Sequence, residues 1–403
     1  MLLRNTILSV LKDQSPPTPL TPEVPRALAA SIPEASPQAI ALKGVRRCGK
    51  SILQAQLMRR HPHFCYCNLE DTRLFGLSPQ DFPSVLAVMD ELSPAPAPVF
   101  LDEVQAVAEW QRLVRTLLDR GRTVCVTGSN ASLLGRELGS KLTGRQRSFE
   151  VFPFNYREYL AFTAQTPGES SLLAYLDVGG FPAYLRERNP QILQELLRNV
   201  VQRDIAQRHA LRETRHVMNL VLFLLANTGQ PVSLQNLAKS LAIPAVAQTA
   251  RYVEYLVDAY LLFAVPKYSV SFKQRVVAPN KYYAIDNGLR RVNSPSATPD
   301  RGHRLENAVA LALRHQGGNF AYAGEKNLWE CDFVTDTRVI QVCAELTPEN
   351  RPRELLGLVQ ASRLPGRRKA LILTLNQRDQ LREQNLPIPV QPVWEWLLES
   401  ARF

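Results

Sequence analysis

Apolar and polar positions along this chain follow two rhythms. From Gln38 to about Leu160, short apolar runs that suit strands take turns with longer stretches of helical period. "AIAL" leads into a glycine loop, and "SILQAQLMRR" continues as a helix. "FCYCNLE" and "PVFLDE" are strands, "VAEWQRLVRTLLDRG" is an amphipathic helix closing on glycine, and "TVCVTGSN" is a further strand. Strand–helix alternation of this kind predicts a parallel α/β sheet. Residues 14–37, which precede it, are rich in proline, which removes a backbone donor and fixes φ. They predict an extended segment with at most one short helix, near Arg26–Ser31. Past Leu160 the pattern turns helical to about Glu213. A unit of three helices and a β-ribbon runs on to about Arg291, then a turn-rich loop, "NSPSATPDRG", then a last α/β unit ending in "VWEWLLES".

Composition narrows the class. A chain of 403 residues, 45% hydrophobic and 21% charged, suits two to four globular domains. No apolar run approaches the roughly 20 residues that a membrane span needs, so no membrane partner is expected. "MLLRNTILSVLKDQ" lacks the basic, apolar and small-residue succession of a secretory signal. The six cysteines form no C-x-x-C pair, and several sit in apolar strand-like runs. Reduced thiols in a cytoplasmic protein are expected, not a zinc site or disulfide framework. The net charge of +11 suits a polyanionic partner. From Ala259 to Ile285 there is no acidic residue, while Lys267, Lys273, Arg275 and Lys281 stand among Tyr268, Phe272, Tyr282 and Tyr283. That interleaving fits a nucleic-acid surface, and equally a solvated ribbon with buried aromatics.

The glycine loop carries the chemistry. "GVRRCGKS" fits G-x-x-x-x-G-K-[ST], between an apolar strand and a helix. Gly44 and Gly49 let the backbone curl so that successive N–H groups face a β-phosphate, and the helix N-terminus adds its dipole. The ATP-binding residues expected are Gly44, Val45, Arg46, Arg47, Cys48, Gly49, Lys50, Ser51 and Ile52, with Lys50 on the β- and γ-phosphates. Ser51 and Asp102 are the expected Mg²⁺ ligands, and Glu103, next to Asp102 at the end of "PVFLDE", is placed to polarise the attacking water. Cys48, among N–H groups and beside Lys50, is expected to favour its thiolate. The strand "TVCVTGSN" ends in Thr127, Ser129 and Asn130, near where a ligand lies in a doubly wound sheet. Ser129 and Asn130 are therefore candidate γ-phosphate contacts, although turn chemistry alone accounts for them too.

Downstream, "VFLDEVQAVAEWQRLVRTLLDRGRTVCVTGSNASLLGRELGSKLTGRQRSFEVFPFNYREYL" resembles the AAA-type P-loop ATPases of the archaeal-ATPase kind, in which DE-x-Q, TGS, L-x-GR and a proline–aromatic tail recur in that order. The resemblance runs from about Ala41 to the end. It implies that Arg145, in "LTGR", steadies the transferring phosphoryl group, often from a neighbouring subunit, and hence a homo-oligomer. A surface salt bridge is the competing reading.

"RHVMNLVLFLLANTGQPVSLQNLAKSLAIPAVAQTARYVEYLVDAYLLFAVPKYS" reads as a winged helix. On its third helix Val246, Ala250, Val253 and Val257 form the expected inward stripe, leaving Gln248, Arg251 and Glu254 outward. Candidate DNA contacts are Gln248, Arg251, Lys267, Lys273, Arg275 and Lys281, mainly to phosphates. The last unit is similar to the C-terminal domain of the same ATPases, which looks like a PD-(D/E)XK nuclease fold. Glu306 and Asp332 match two acidic positions of that site, but Gln341 and Cys343 stand where glutamate and lysine belong. Glu345 falls on the same strand face about 13 Å from Gln341, too far to share one metal. A degenerate, uncutting site is expected.

The expected fold is therefore α/β: residues 1–37 a proline-rich segment, 38–165 a P-loop ATPase core, 166–210 a helical lid, 211–291 a winged helix and 292–403 a degenerate nuclease-like domain. The expected function is ATP hydrolysis with Mg²⁺, driving remodelling of or movement along duplex or branched DNA. A regulatory switch ATPase that binds proteins is the alternative, and a metal-dependent nuclease comes third.

Overall fold

The computed structural model describes residues 2–18, 23–128, 144–294 and 301–400. The chain divides into two compact units, Met1–Phe152 and Pro153–Phe403. The proline–aromatic tail that follows Phe152 thus folds with the second unit.

The first unit is built on five strands: β1 (Ala39–Lys43), β2 (Cys65–Asn68), β3 (Val99–Asp102), β4 (Val124–Gly128) and β5 (Gln146–Glu150). Their order is β2-β3-β4-β1-β5, and every pairing is parallel. β1, β3 and β4 are buried along their whole length, as parallel strands covered on both faces must be, which is why they read as unbroken apolar runs. Helix α2 (Lys50–Met58) packs on β3 and β4. A core of Val85, Met89, Trp110, Leu113 and Leu117 joins α3 (Phe82–Leu92) and α4 (Trp110–Asp119) to the sheet. The same core includes Ile7, Val10 and Leu11 of α1 (Arg4–Asp13), a helix not expected from the sequence. Near Arg26–Ser31 the chain forms a 3₁₀ turn, Ala27–Ser31.

The second unit begins with helices α5 (Tyr156–Thr163), α6 (Glu169–Val178), α7 (Pro182–Glu187) and α8 (Gln191–Asn199), the last running on as a π-helix over Val200–Gln207. Next come α9 (Arg215–Ala226), β6 (Pro231–Val232), α10 (Leu234–Ser240), α11 (Val246–Asp258), β7 (Leu262–Val265), α12 (Phe272–Val277) and β8 (Asn280–Ala284). The three strands form a sheet ordered β6-β8-β7, with antiparallel pairings. The expected acid-free ribbon is thus two strands with a short helix between them. On α11 the buried residues are Thr249, Tyr252, Val253 and Leu256. The inward stripe is displaced from the one expected, and Val246 is exposed.

After α13 (Asn287–Asn293) and α14 (Arg301–His315), a mixed six-stranded sheet follows. Its strands are β9 (Phe320–Glu325), β10 (Trp329–Thr335), β11 (Arg338–Val342), β12 (Lys369–Thr374), β13 (Asp379–Glu383) and β14 (Leu386–Pro392), ordered β13-β14-β12-β11-β10-β9. Helix α15 (Arg351–Ser362) covers β10 and β11, with Leu355, Leu358 and Ala361 in the core. No described helix is long and apolar enough to cross a membrane.

Candidate nucleotide site and a lysine-filled carboxylate cluster

The loop Gly44–Gly49 leaves the carboxyl end of β1 and opens α2. Gly44 approaches the strand exit so closely that a Cβ there would stand 2.1 Å from the Val151 carbonyl oxygen. Gly49 takes a φ of 100°, which glycine adopts without strain. Val45 and Cys48 are buried, Arg46 and Ile52 are half-buried, and Arg47 is exposed. The Lys50 ammonium folds over the loop and donates to the Gly44 and Val45 carbonyls at 2.9 and 3.0 Å. Phosphate oxygens are stronger, charge-assisted partners for the same group.

Strand order explains the rest of the site. β4 lies between the loop strand β1 and the acidic strand β3, so Thr127 sits beside Asp102. Its hydroxyl donates to Asp102 Oδ1 and accepts the Glu103 N–H at 3.0 Å, fixing both members of the acidic pair. Ser51 Oγ lies 3.2 Å from the same Asp102 oxygen. Hydroxyl and carboxylate therefore face one point, which suits a Mg²⁺ that takes few protein oxygens and completes its shell with water and phosphate. Among the described residues no group of three or more His, Cys, Asp or Glu is arranged to hold a metal ion. Burial, with the like charge of Glu103 adding to it, raises the Asp102 carboxyl above its ordinary range, while the hydroxyls of Thr127 and Ser51 oppose this. Tyr66 donates to the other Asp102 oxygen at 3.3 Å. Glu103 is half-buried, takes a left-handed φ of 50° and accepts from Gln105. Tyr66 belongs to no motif, and only the folded sheet brings it to the site, whereas Gln105 is the glutamine of the DE-x-Q run.

One expectation changes here, and two others meet the limits of a single chain and of the described residues. Cys48 is wholly buried, its thiol donates to the Val151 carbonyl at 3.2 Å, and burial pushes its pKa up, so the loop holds a packed thiol and not a reactive thiolate. Arg145 precedes β5, where its carbonyl accepts from Ala39 at the amino end of β1, and its exposed side chain pairs with Asp119 at 2.6 Å. In its own chain it stands at the opposite end of the sheet from the loop. Ser129 and Asn130 lie outside the described residues.

In the second unit, Lys281 was a candidate DNA contact. It is 1% exposed, on β8, and its ammonium lies 3.2 Å from Glu306, 2.7 Å from Glu330 and 3.7 Å from Asp332. Burial alone would lower its pKa; the three carboxylates outweigh that and raise it. Tyr283 also donates to Glu306, at 2.7 Å, and Asp332 accepts the Val342 N–H at 2.8 Å. Burial and the charge of Glu306 hold the Asp332 carboxyl well above its usual range. Gln341 donates to the buried Glu354 of α15 at 2.6 Å, and Cys343 is buried with its thiol raised. Glu306, Asp332, Gln341 and Cys343 do line one cleft, of about 1260 Å³. Lys281 enters the cluster from the separate three-stranded sheet, which no spacing in the sequence signals. Of the other candidate contacts, Arg251, Lys273 and Arg275 are exposed and Lys267 is half-buried, whereas Gln248 is spent on the Tyr252 hydroxyl at 2.6 Å.

Residues 36–160 match the model of the AAA domain, and residues 169–296 that of a domain of unknown function. Among solved structures, the Orc1 protein of Aeropyrum pernix in complex with DNA is 14% identical, over 72% of this chain and 90% of that one, with a TM-score of 0.30. Cdc6p of Pyrobaculum aerophilum is 13% identical, over 64% and 90%, with a TM-score of 0.27. An uncharacterized protein of Methanocaldococcus jannaschii is 31% identical over 389 residues, covering 88% of this chain and 87% of that protein. One of Haemophilus influenzae is 30% identical over 334 residues, covering 77% and 83%. With an AAA domain over residues 36–160, the chain belongs to one family with these proteins of Methanocaldococcus jannaschii and Haemophilus influenzae.

Proposed function

We propose that the chain binds ATP with Mg²⁺ at the loop Gly44–Ser51, hydrolyses it, and uses the turnover to act on duplex or branched DNA in the cytoplasm. The observation that carries the first part is the convergence of Lys50, Ser51, Asp102 and Glu103 at the carboxyl ends of β1 and β3, with Thr127 pinning the acidic pair. Glu103, one residue beyond the metal-facing carboxylate and half-buried, is the group that polarises water. The DNA part is supported by the net charge of +11 and by exposed Arg251, Lys273 and Arg275. The succession helix, short strand, two helices and two antiparallel strands over Arg215–Ala284 suits the winged-helix reading. The six-stranded sheet with its carboxylate cluster suits a nuclease-like domain whose cation is Lys281, so no DNA cleavage is proposed.

ATP turnover, with and without duplex or branched DNA, tests both parts. Lys50→Ala loses ATP binding, and Glu103→Gln binds ATP while turnover falls at least about 100-fold, in keeping with general-base assistance. DNA raises wild-type turnover, and the Lys273→Ala/Arg275→Ala pair loses that stimulation while keeping the basal rate. Normal turnover by Glu103→Gln removes its assigned role. A wild type that hydrolyses ATP without binding any DNA at low salt turns the reading to a switch that binds proteins.

A further inference from the structure

Arg26 belongs to the proline-rich segment, not to the phosphate loop, yet it is 6% exposed and lies against that loop. Its guanidinium donates to the Cys48 carbonyl at 2.9 Å and to the Phe152 carbonyl at 2.6 Å. The segment that carries it is tied to the last turn of α2 and to the two residues that follow it. Gln56 accepts the Arg26 N–H at 2.9 Å and donates to the Val24 carbonyl at 2.9 Å. Arg59 pairs with Glu23 at 2.5 Å, and Arg60 donates to the Ala29 and Ile32 carbonyls at 2.8 and 3.2 Å. Gln56 lies in the last turn of α2, and Arg59 and Arg60 follow directly on its end. The brace therefore joins the loop to the far end of the helix that it opens.

The Cys48 carbonyl matters because of the peptide to which it belongs. In a planar trans peptide the C=O of one residue and the N–H of the next point in opposite directions. A guanidinium that holds the Cys48 carbonyl on one side thus turns the Gly49 N–H to the other side, away from Arg26. The same guanidinium also closes on residue 49, whose φ of 100° already favours glycine. A Cβ on Gly49 would stand 2.9 Å from the Arg26 nitrogen, so any side chain there would push the clamp away. We infer that Arg26 is a positioning residue for the phosphate loop, its two-carbonyl clamp presetting the Gly49 N–H for the β-phosphate of ATP and ADP.

This rests on the ATPase reading, and the experiment separates the two. Equilibrium binding of MgATP and MgADP is measured together with kcat on the full chain, for the wild type, Arg26→Ala and Arg26→Lys. Arg26→Ala is expected to weaken ATP and ADP in parallel, by roughly tenfold to 100-fold, as for loss of a hydrogen bond to a charged group. Its kcat at saturating ATP stays within about threefold, because ground and transition states share the β-phosphate contact. Lysine offers a point charge but no planar fork for two carbonyls, so Arg26→Lys recovers only part of the affinity. Unchanged ADP affinity in Arg26→Ala, or full recovery by Arg26→Lys, overturns the clamp. Should Arg26→Ala not fold, the comparison of Arg26→Lys with the wild type decides by the same rule. A wild type that neither binds nor hydrolyses ATP removes the ATPase reading and the clamp together. An active wild type with indifferent variants removes the clamp alone.

Discussion

Asp286 caps α13 and is buried, accepting the Leu289 N–H at 2.8 Å and the Gly180 N–H at 2.6 Å. Burial pushes its carboxyl up to about 6, and three backbone N–H groups only partly oppose this. The folded chain therefore holds that proton more tightly than the unfolded chain, whose carboxyl titrates near 3.8. The stabilisation is complete below the unfolded value and is lost as pH rises through about 6, an effect on the order of 3 kcal/mol. In Asp286→Asn the oxygen can serve one N–H while the amide faces the other, so the variant is less stable throughout. Its stability, however, no longer falls between pH 4 and pH 7 on account of this group. Denaturant titrations across that interval measure the difference between the two slopes, and parallel curves would disprove the assignment. Cys48 shows the same principle with the opposite lesson for reading sequences. The motif put a thiol among N–H groups and a lysine, but the packing that buries it comes from Val151, about a hundred positions later.

Among the elements, the meeting of β8 with β10 and α14 is decided by charge as well as packing. Lys281 on β8 is the cation among Glu306, Glu330 and Asp332. Replacing it by methionine keeps most of the volume but leaves Glu306 and Asp332 buried with no counter-ion, at a cost of about 3–5 kcal/mol. Asp332, whose carboxyl Lys281 partly holds down in the wild type, is then raised further above its unfolded value. The variant's deficit is accordingly smallest at acid pH and grows as pH rises, and adding Asp332→Asn returns part of the stability. Unfolding free energies at pH 5 and pH 8 test this, and a deficit equal at both would show that the loss is of packing alone. The resemblance already paired Glu306 with Asp332, but the entry of Lys281 is not visible along the chain, since it precedes these partners by at least 25 residues and lies in a different sheet. The strands of the first unit were visible because burial on both faces makes "AIAL" and "PVFLD" unbroken apolar runs. Helix α1 carried a readable signal in Ile7, Val10 and Leu11, spaced to share one face. On α11 the aliphatic pattern points to a different stripe from the buried one, because Thr249 and Tyr252 face inward while Val246 is exposed.

For the whole molecule the open quantity is how many copies make one working site. The loop, Asp102 and Glu103 gather at the carboxyl ends of the strands, while Arg145 sits where β5 begins, paired with Asp119. β1 and β5 run parallel in register from Ala39↔Gln146 to Lys43↔Glu150. About 16 Å of strand, at roughly 3.3 Å per residue, therefore separates Arg145 from the loop of its own chain. If this arginine steadies phosphoryl transfer, it does so for a neighbouring copy, after leaving an exposed ion pair worth no more than about 1 kcal/mol. Arg145→Ala is then expected to bind ATP normally and lose turnover, whereas Lys50→Ala fails to bind ATP but still offers its arginine. Mixed in one assembly, the two inactive proteins complete some sites, with Lys50→Ala subunits lending Arg145 to loops that are intact. Turnover should return to about a quarter of the wild-type rate in an equal mixture, and native mass measurement establishes that mixed assemblies exist. Mixed assemblies without turnover would confine Arg145 to the surface pair that it makes with Asp119. Full activity of Arg145→Ala alone would do the same.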